Sequence, residues 1–252
     1  AEFLGSFGSD VLRLTKDQNF LLRNIPQTGL AALYNFLVKT MPDVNQPAIF
    51  GRILSCAGAS TCQLGICLSR QAAWALIKDL KKSSIDLDGL ADFKINISGC
   101  PNSCGHHPVA DLGFSGKASR SKSGNRLYPA YNVFAGAVVK DGETKLAQHI
   151  GEIPAKALPS FIKDYLAGKG KVDLKEIILK YSKVPEFEMD KSYYYDWGTD
   201  VLFSLAQRGA GECSAGFFDL LEMDLNNMKH AKSVIELVFF ASRALLVTRG
   251  VD

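Results

Sequence analysis

Cys56-Ala-Gly-Ala-Ser-Thr-Cys62 and Gly99-Cys-Pro-Asn-Ser-Cys-Gly105 are the two stretches around which this chain is organised. Their four cysteines form two unlike pairs, C-x5-C and C-x3-C. Four thiolates at close spacing repel one another and oxidise, so a chain that keeps them usually holds a metal that neutralises their charge. Zinc sites favour shorter, repeated spacings, whereas these unequal gaps favour a larger iron–sulfur group. The sequence therefore predicts an iron–sulfur site, with four unconnected thiols or two disulfides as the alternative.

The second stretch runs on into Val109-Ala-Asp-Leu-Gly-Phe114. Together with the C-x5-C pair, it resembles the signature of the siroheme-dependent sulfite and nitrite reductases. In that family four such cysteines hold a 4Fe-4S cluster, and the last of them also bridges to the siroheme iron. The resemblance implies two cofactors, a 4Fe-4S cluster and siroheme, and assigns the bridging role to Cys104. The implied cluster ligands are Cys56, Cys62, Cys100 and Cys104.

The resemblance covers about residues 1–185. Asp10 to Asn19, followed by the apolar run Phe20 to Ile25, is similar to the short ferredoxin-like half-domain that precedes each reductase domain of the family. It implies that Gln18 and Asn19 contact a cofactor.

Further cofactor contacts are implied at Lys117 and Asn132. Gly116-Lys117, Tyr131-Asn132 and Phe134-Ala-Gly136 lie where the family keeps its cofactor-contacting loops. Asn102, between the two cysteines of the second pair, is either another contact or a turn residue.

The predicted fold class is α+β, with a sulfite/nitrite reductase-like mixed or antiparallel sheet, helices, and a small all-helical C-terminal appendage. We expect a ferredoxin-like half-domain over 1–44, a siroheme and iron–sulfur reductase domain over 45–185, and a helical C-terminal segment over 186–252. Hydrophobic periodicity predicts the individual elements. Strands are expected over Ser9–Thr15, Phe20–Ile25, Ile49–Leu54, Phe93–Ile97, Val109–Phe114 and Tyr131–Lys140, and helices over Gln71–Lys82, Pro154–Leu166 and Asp173–Lys183.

Composition sets broad limits on function. The chain has 252 residues, 47% of them hydrophobic and 22% charged, with a net charge of +3, as expected for an ordinary soluble protein. It has no long Lys/Arg run, which argues against nucleic acid binding. No apolar run approaches the roughly 20 residues that cross a bilayer, and no signal-peptide pattern opens the chain. We expect a cytoplasmic location, where thiolates stay reduced.

The resemblance implies a multi-electron reduction of sulfite to sulfide, with nitrite to ammonia as the alternative. The implied electron donor is a ferredoxin-like protein or a flavoprotein. The family's polypeptide is a pseudo-twofold pair of such halves, and the half that supplies most of the basic residues around siroheme and substrate has no counterpart in this chain. Because the chain also opens with Ala, we expect a piece of a longer polypeptide that is incomplete and inactive alone.

The expected partner is the N-terminal half of the same parent polypeptide, or a second copy. Two other hypotheses stay open: a half-size reductase that acts as a homodimer, and a non-catalytic iron–sulfur electron carrier or scaffold.

Three lesser features have two interpretations each. The segment Lys117 to Arg126 is either a solvated loop or a contact to carboxylates of siroheme or of an acidic donor. His106 and His107 are proton donors or, as we favour, structural residues. Cys67 is favoured as a buried small residue over a fifth ligand, and Cys213 has no evident partner.

Overall fold

The structure is a computed structural model that describes residues 2–62, 64–121, 126–168, 172–205, 221 and 224–248. Its contacts divide the chain into two compact units, residues 1–54 with 86–94, and residues 55–85 with 95–252. The three-domain division at residues 44 and 185 stays a prediction. Cys213 and Lys122 lie outside the described residues.

The first unit opens with a short helix and a β-hairpin. Helix α1 (Glu2–Gly5) precedes strands β1 (Leu12–Leu14) and β2 (Phe20–Leu22), which pair antiparallel. Helix α2 (Leu30–Thr40) follows and ends before Pro42, as proline requires. The two strands predicted for this part of the chain are therefore confirmed in shorter form.

The strand predicted over Ile49–Leu54 is mostly wrong. Ala48–Arg52 is a 3-10 helix, and only β3 (Ile53–Ser55) is extended before Cys56. Pro47 fixes the φ of the residue that enters this 3-10 helix, and the run that follows is too short and too irregular to pair as a strand.

The strands that belong wholly to the second unit form a mixed sheet. They are β4 (Ile95–Ser98), β5 (Leu112–Arg120), β6 (Leu127–Ala135) and β7 (Gln148–Pro154), in that spatial order. Strand β4 runs parallel to β5, whereas β5 with β6 and β6 with β7 are antiparallel. The mixed sheet with its helices confirms the predicted α+β class.

One face of this sheet carries the core. Ile97, Phe114 and Val133 are cross-strand partners that share this face, and all three are fully buried. Phe114 packs edge-on against Tyr131 and against Phe161 of helix α4 (Leu158–Ala167), with ring centroids 6.3 and 6.0 Å away. Aromatic rings packed in this way contribute more than their buried area alone.

Two further helices complete the packing of the second unit. Helix α3 (Ser69–Leu80) packs against α4, and α5 (Leu174–Tyr181) packs against β7 and α4. Asp173 caps α5 as predicted, because its side chain accepts the Lys175 N–H at 2.9 Å.

The segment Lys117 to Arg126 is not a loop throughout. Lys117 and Arg120 belong to β5, which is paired with β6 along its whole length.

Helix α4 also begins later than predicted. Pro154 ends β7, Ala155–Ala157 is a 3-10 turn, and the proline in the first turn of α4 is Pro159.

The part of the chain beyond residue 185 is partly irregular. A 3-10 turn (Lys191–Tyr194) and a β-bridge between Tyr195 and Leu202 precede a helix over Val234–Thr248. Among the residues that the structure describes, no helix is long and apolar enough to span a membrane.

Replacing Phe114 by Ala should destabilise the second unit by about 3–5 kcal/mol, because it removes a fully buried aromatic ring. Urea unfolding followed by circular dichroism measures this effect. The matched control is Leu179→Ala on α5, where the side chain is 69% exposed and the change should stay within about 0.5 kcal/mol. Equal midpoints for the two variants would contradict the core described above.

Candidate functional site

The backbone of Gly99 joins the two cysteine segments. Its N–H donates to Cys56 Sγ at 3.1 Å, and its carbonyl accepts the N–H groups of Ile66 and Cys67, each at 2.9 Å. The Cys56 N–H donates to the Ile97 carbonyl at 3.2 Å, which anchors the first cysteine to β4. Both cysteine pairs therefore meet beyond the C-terminal end of β4.

The loop that carries the first pair needs glycine at position 58. Gly58 has φ +61°, a conformation that favours glycine. Its carbonyl accepts the Cys62 N–H at 3.0 Å, while the neighbouring Ala59 N–H donates to the Cys67 carbonyl at 2.9 Å. A Cβ at position 58 would lie 2.5 Å from Ser69 Oγ. The tight loop thus depends on the absence of a side chain there.

The four predicted ligands form one electrostatic site. Burial raises the pKa of the Cys100 thiol above its ordinary value, and the Asn102 backbone N–H opposes this increase. The neighbouring Cys56, Cys62 and Cys104 raise that pKa further, because each thiolate disfavours another. Holding all four as thiolates therefore requires a positive charge among them.

The described residues contain no group of three or more His, Cys, Asp or Glu side chains arranged around a single metal ion. A 4Fe-4S cubane binds each of its thiolates to a separate iron, so its ligands do not have to surround one ion. No disulfide joins the five cysteines of the described ranges to one another.

Cys67 and Cys104 differ sharply in surroundings. Cys67 is fully buried, and its thiol donates to the Ala130 carbonyl at 3.4 Å, as expected for a buried small residue. Cys104 is the exposed one of the four predicted ligands, and its thiol lies 3.9 Å from the Asn102 carbonyl. Asn102 itself is exposed and contacts this site through its backbone.

The sheet face opposite the core is polar, and we call it the polar sheet face. Cross-strand partners share a face of a sheet, and so do alternate residues along a strand. By this register the face carries Asn96, Ser98, Ser115, Lys117, Ser119, Tyr128, Asn132 and Glu152. It begins beside the second cysteine pair, since Ser98 directly precedes Gly99.

A carboxylate that the sequence did not indicate lies on the polar sheet face. Glu152 receives the Lys117 ammonium at 2.7 Å and the Ser119 hydroxyl on its other oxygen. Asn132 is the cross-strand partner of Glu152. The predicted contacts Lys117 and Asn132 thus share one face. Glu152 was missed because its neighbours come together only through the pairing of three strands.

Gln18 and Asn19 lie in the first unit, in the turn of its hairpin. Gln18 has φ +59°, the Thr15 N–H donates to the Asn19 carbonyl at 2.9 Å, and Asn19 Nδ2 donates to the Gly51 carbonyl at 2.9 Å. These bonds explain the turn, and a cofactor contact of either residue stays a prediction.

The two histidines have structural surroundings. His107 is buried, its Nδ1 lies 2.9 Å from Ser98 Oγ, and its ring packs 4.8 Å from that of Phe134. Burial lowers the pKa of His107, so the neutral imidazole is favoured. His106 has φ +55°, and its carbonyl accepts Asn96 Nδ2 at 2.9 Å. These contacts favour the structural interpretation over proton donation.

Comparison with known proteins identifies this arrangement. The family described as "Nitrite and sulphite reductase 4Fe-4S domain" matches residues 52–167, which include both cysteine pairs and all four strands of the mixed sheet. This segment, a little under half of the chain, is therefore similar to the 4Fe-4S domain of the nitrite and sulphite reductases. The cofactors of the family, a 4Fe-4S cluster and siroheme, are those that the sequence predicts.

Individual relatives carry both substrate names. The chain is 29% identical over 154 residues to a chloroplastic ferredoxin–nitrite reductase of Spinacia oleracea, covering 61% of this chain and 24% of the relative. It is 31% identical over 123 residues to a ferredoxin sulfite reductase of Mycobacterium tuberculosis, covering 46% of this chain and 21% of the relative. The chain thus spans about a quarter of these reductases or less.

A solved structure shares the fold. The Mycobacterium tuberculosis NirA protein superposes with a TM-score of 0.56 at 20% sequence identity, over 71% of this chain and 34% of the other.

A residue outside the matched reductase segment also reaches the cysteine loop. Asp196 accepts the Leu68 N–H on Oδ2 at 2.8 Å and the Trp197 N–H on Oδ1 at 2.8 Å. Leu68 follows Cys67 and is the N-cap of α3, where backbone N–H groups lack helical partners. Trp197 Nε1 donates to the Ala155 carbonyl at 2.7 Å. No local sequence signal links these residues, because Leu68 and Asp196 are 128 positions apart.

Replacing His107 by Phe should flatten the loss of stability in acid. Because the folded chain lowers the pKa of His107, the unfolded chain binds the proton more readily once the pH falls below about 6.5, and stability decreases there. Between about pH 7 and pH 5, the wild type should lose up to about 1.4 kcal/mol per pH unit more than His107→Phe. Urea unfolding at each pH measures the difference.

The control is Leu179→Ala, since this exposed side chain carries no titratable group and its replacement should leave the slope of the wild type unchanged. Parallel stability curves for the wild type and His107→Phe would show that burial of His107 has no effect on its titration.

Proposed function

We propose that this chain is the cluster-binding part of a siroheme-dependent reductase that reduces sulfite to sulfide. The observation that carries the proposal is the convergence of the two cysteine pairs at the Gly99 backbone, within a segment that matches a 4Fe-4S domain. Four thiolates at this spacing would be unfavourable without a metal, since burial and the neighbouring cysteines raise the pKa of Cys100. The proposed cluster ligands are Cys56, Cys62, Cys100 and Cys104.

Cys104 is the proposed bridge between the cluster and the siroheme iron. A bridging sulfur has to face a second large group, and Cys104 is exposed whereas Cys100 is buried. The Asn102 backbone lies against both of these cysteines and fixes the spacing of the pair. These differences in exposure support a site that opens on the Cys104 side.

The polar sheet face is the proposed support for siroheme. Lys117 can pair with a siroheme carboxylate, and Asn132 offers an amide beside it; Asn102, Gln18 and Asn19 complete the proposed contacts of this chain. The Lys117 ammonium would have to exchange Glu152 for that carboxylate. When bound, the cluster and siroheme supply stepwise electron transfer and an iron at which the anion is reduced.

Sulfite is the proposed substrate, and its conversion to sulfide consumes six electrons together with protons. Nitrite reduction to ammonia is the second candidate, favoured by the relatives named ferredoxin–nitrite reductase. Both anions need a concentration of cations, while Lys117, the cation on the polar sheet face, is already paired with Glu152.

We therefore propose that another part of the reductase supplies the basic residues around siroheme and substrate. This part is the N-terminal half of the same parent protein, or a second copy of this chain. A ferredoxin is the proposed electron donor, in line with the names of the relatives, and the proposed location is the cytoplasm.

Anaerobic reconstitution should load about four irons per chain, and changing any of the four ligands to Ser should weaken or abolish this binding. Iron and sulfide analysis with visible absorbance measures the loading. Cys67→Ser is the matched control, because this buried thiol bonds to backbone carbonyls and should leave the iron content unchanged. Stoichiometric zinc, with the iron form unobtainable, would overturn the proposal.

The isolated chain should bind siroheme weakly and reduce neither sulfite nor nitrite, because the described residues of the polar sheet face offer the anionic cofactor and substrate Lys117 but no cluster of cations. The assay supplies reduced methyl viologen, siroheme and each anion, with the parent reductase as the active control. Steady turnover by a monomer would contradict the need for another half. Turnover only by a dimer would favour the half-size reductase, and a cluster without any siroheme binding in the parent would favour an electron carrier.

A further inference from the structure

The Cys56 sulfur has an unusual set of hydrogen-bonding neighbours. Ser69 Oγ lies 3.3 Å from Cys56 Sγ and 3.0 Å from the Cys56 carbonyl, and the Gly99 N–H donates to the same sulfur at 3.1 Å. Ser69 is fully buried and is the first residue of helix α3. A hydroxyl and a backbone N–H therefore converge on one partly buried thiol.

The direction of the Ser69 bond depends on the state of Cys56. Between a thiol and a hydroxyl, either atom can donate. A metal-bound cysteine is a thiolate and has no proton to give, so the hydroxyl must then be the donor. Because charge-assisted bonds are stronger than neutral ones, the thiolate competes well with the Cys56 carbonyl for that proton.

The N-terminus of α3 lies beside the Cys56 sulfur, because Ser69 is the first residue of this helix. The Asp196 carboxylate already accepts the Leu68 N–H there, so the Ser69 hydroxyl is the group that this helix end offers to the sulfur. Donors around a cluster sulfur stabilise the extra negative charge of the reduced form, and this raises the reduction potential.

We infer that Ser69 is a positioning residue that raises the reduction potential of the cluster through its hydrogen bond to the Cys56 thiolate. This inference rests on the proposed function, which makes Cys56 a cluster ligand. By this inference the Cys56 thiolate is stabilised by two hydrogen-bond donors, whereas the Cys104 sulfur is exposed.

The test is Ser69→Ala in the reconstituted chain, with dithionite supplying one electron per cluster and the reduced form followed by electron paramagnetic resonance. Loss of the hydroxyl should disfavour one-electron reduction by about tenfold, a shift of about 59 mV to lower potential. Ser69→Thr keeps the hydroxyl and should restore the wild-type potential.

Ser83→Ala is the control. Ser83 follows the other end of α3, and its hydroxyl donates to the Leu80 carbonyl at 2.8 Å. We expect an unchanged potential for this variant.

The outcomes separate the two proposals. Failure of the wild type to assemble any cluster would overturn the proposed function. A wild-type cluster with an unchanged potential in Ser69→Ala would overturn only the role of Ser69, and so would an equal shift in Ser83→Ala. Loss of iron from Ser69→Ala with retention in Ser69→Thr would make the hydroxyl structural and would also overturn the inference.

Discussion

The backbone hydrogen bonds of a single residue, Gly99, hold the candidate iron–sulfur site together. Its N–H and carbonyl bind both ends of the first cysteine loop, and the second pair follows directly in the chain. A Cβ at Gly99 would lie 2.7 Å from Gly58 Cα and 2.8 Å from the Cys67 carbonyl. Any side chain would push the loops apart, and the four thiols would no longer share one site. The two cysteine pairs lie close together because the Gly99 backbone joins the segments that carry them.

The sheet separates two chemical environments within a few ångströms. Its inner face is packed against α4 through aromatic rings. Its polar face keeps Lys117 and Glu152 as a neutral pair, with each side chain about one-third exposed. Such a pair contributes only about 0–1 kcal/mol. Separating Lys117 from Glu152 would therefore cost little, whereas the opposite face is closed by fully buried side chains.

Much of this arrangement could be predicted from local sequence. The cysteine spacing indicated the metal chemistry, and Asp173 marked the start of α5. Local patterns gave wrong secondary structure where the residues nearby in sequence did not determine it. The stretch 48–52 has apolar residues but forms a 3-10 helix, and the polar residues after Lys117 hid the continuation of β5. Glu152, Ser69 and Asp196 acquire their roles only from contacts between distant segments, which no periodicity or spacing encodes.

The bond between Leu68 and Asp196 has a consequence for biosynthesis. A ribosome makes the cysteine loops long before residue 196, so the Leu68 N–H cannot have this partner while the nascent chain is shorter. One hydrogen bond at the start of α3, directly after Cys67, thus forms only when a segment 128 positions further along the chain has been synthesised.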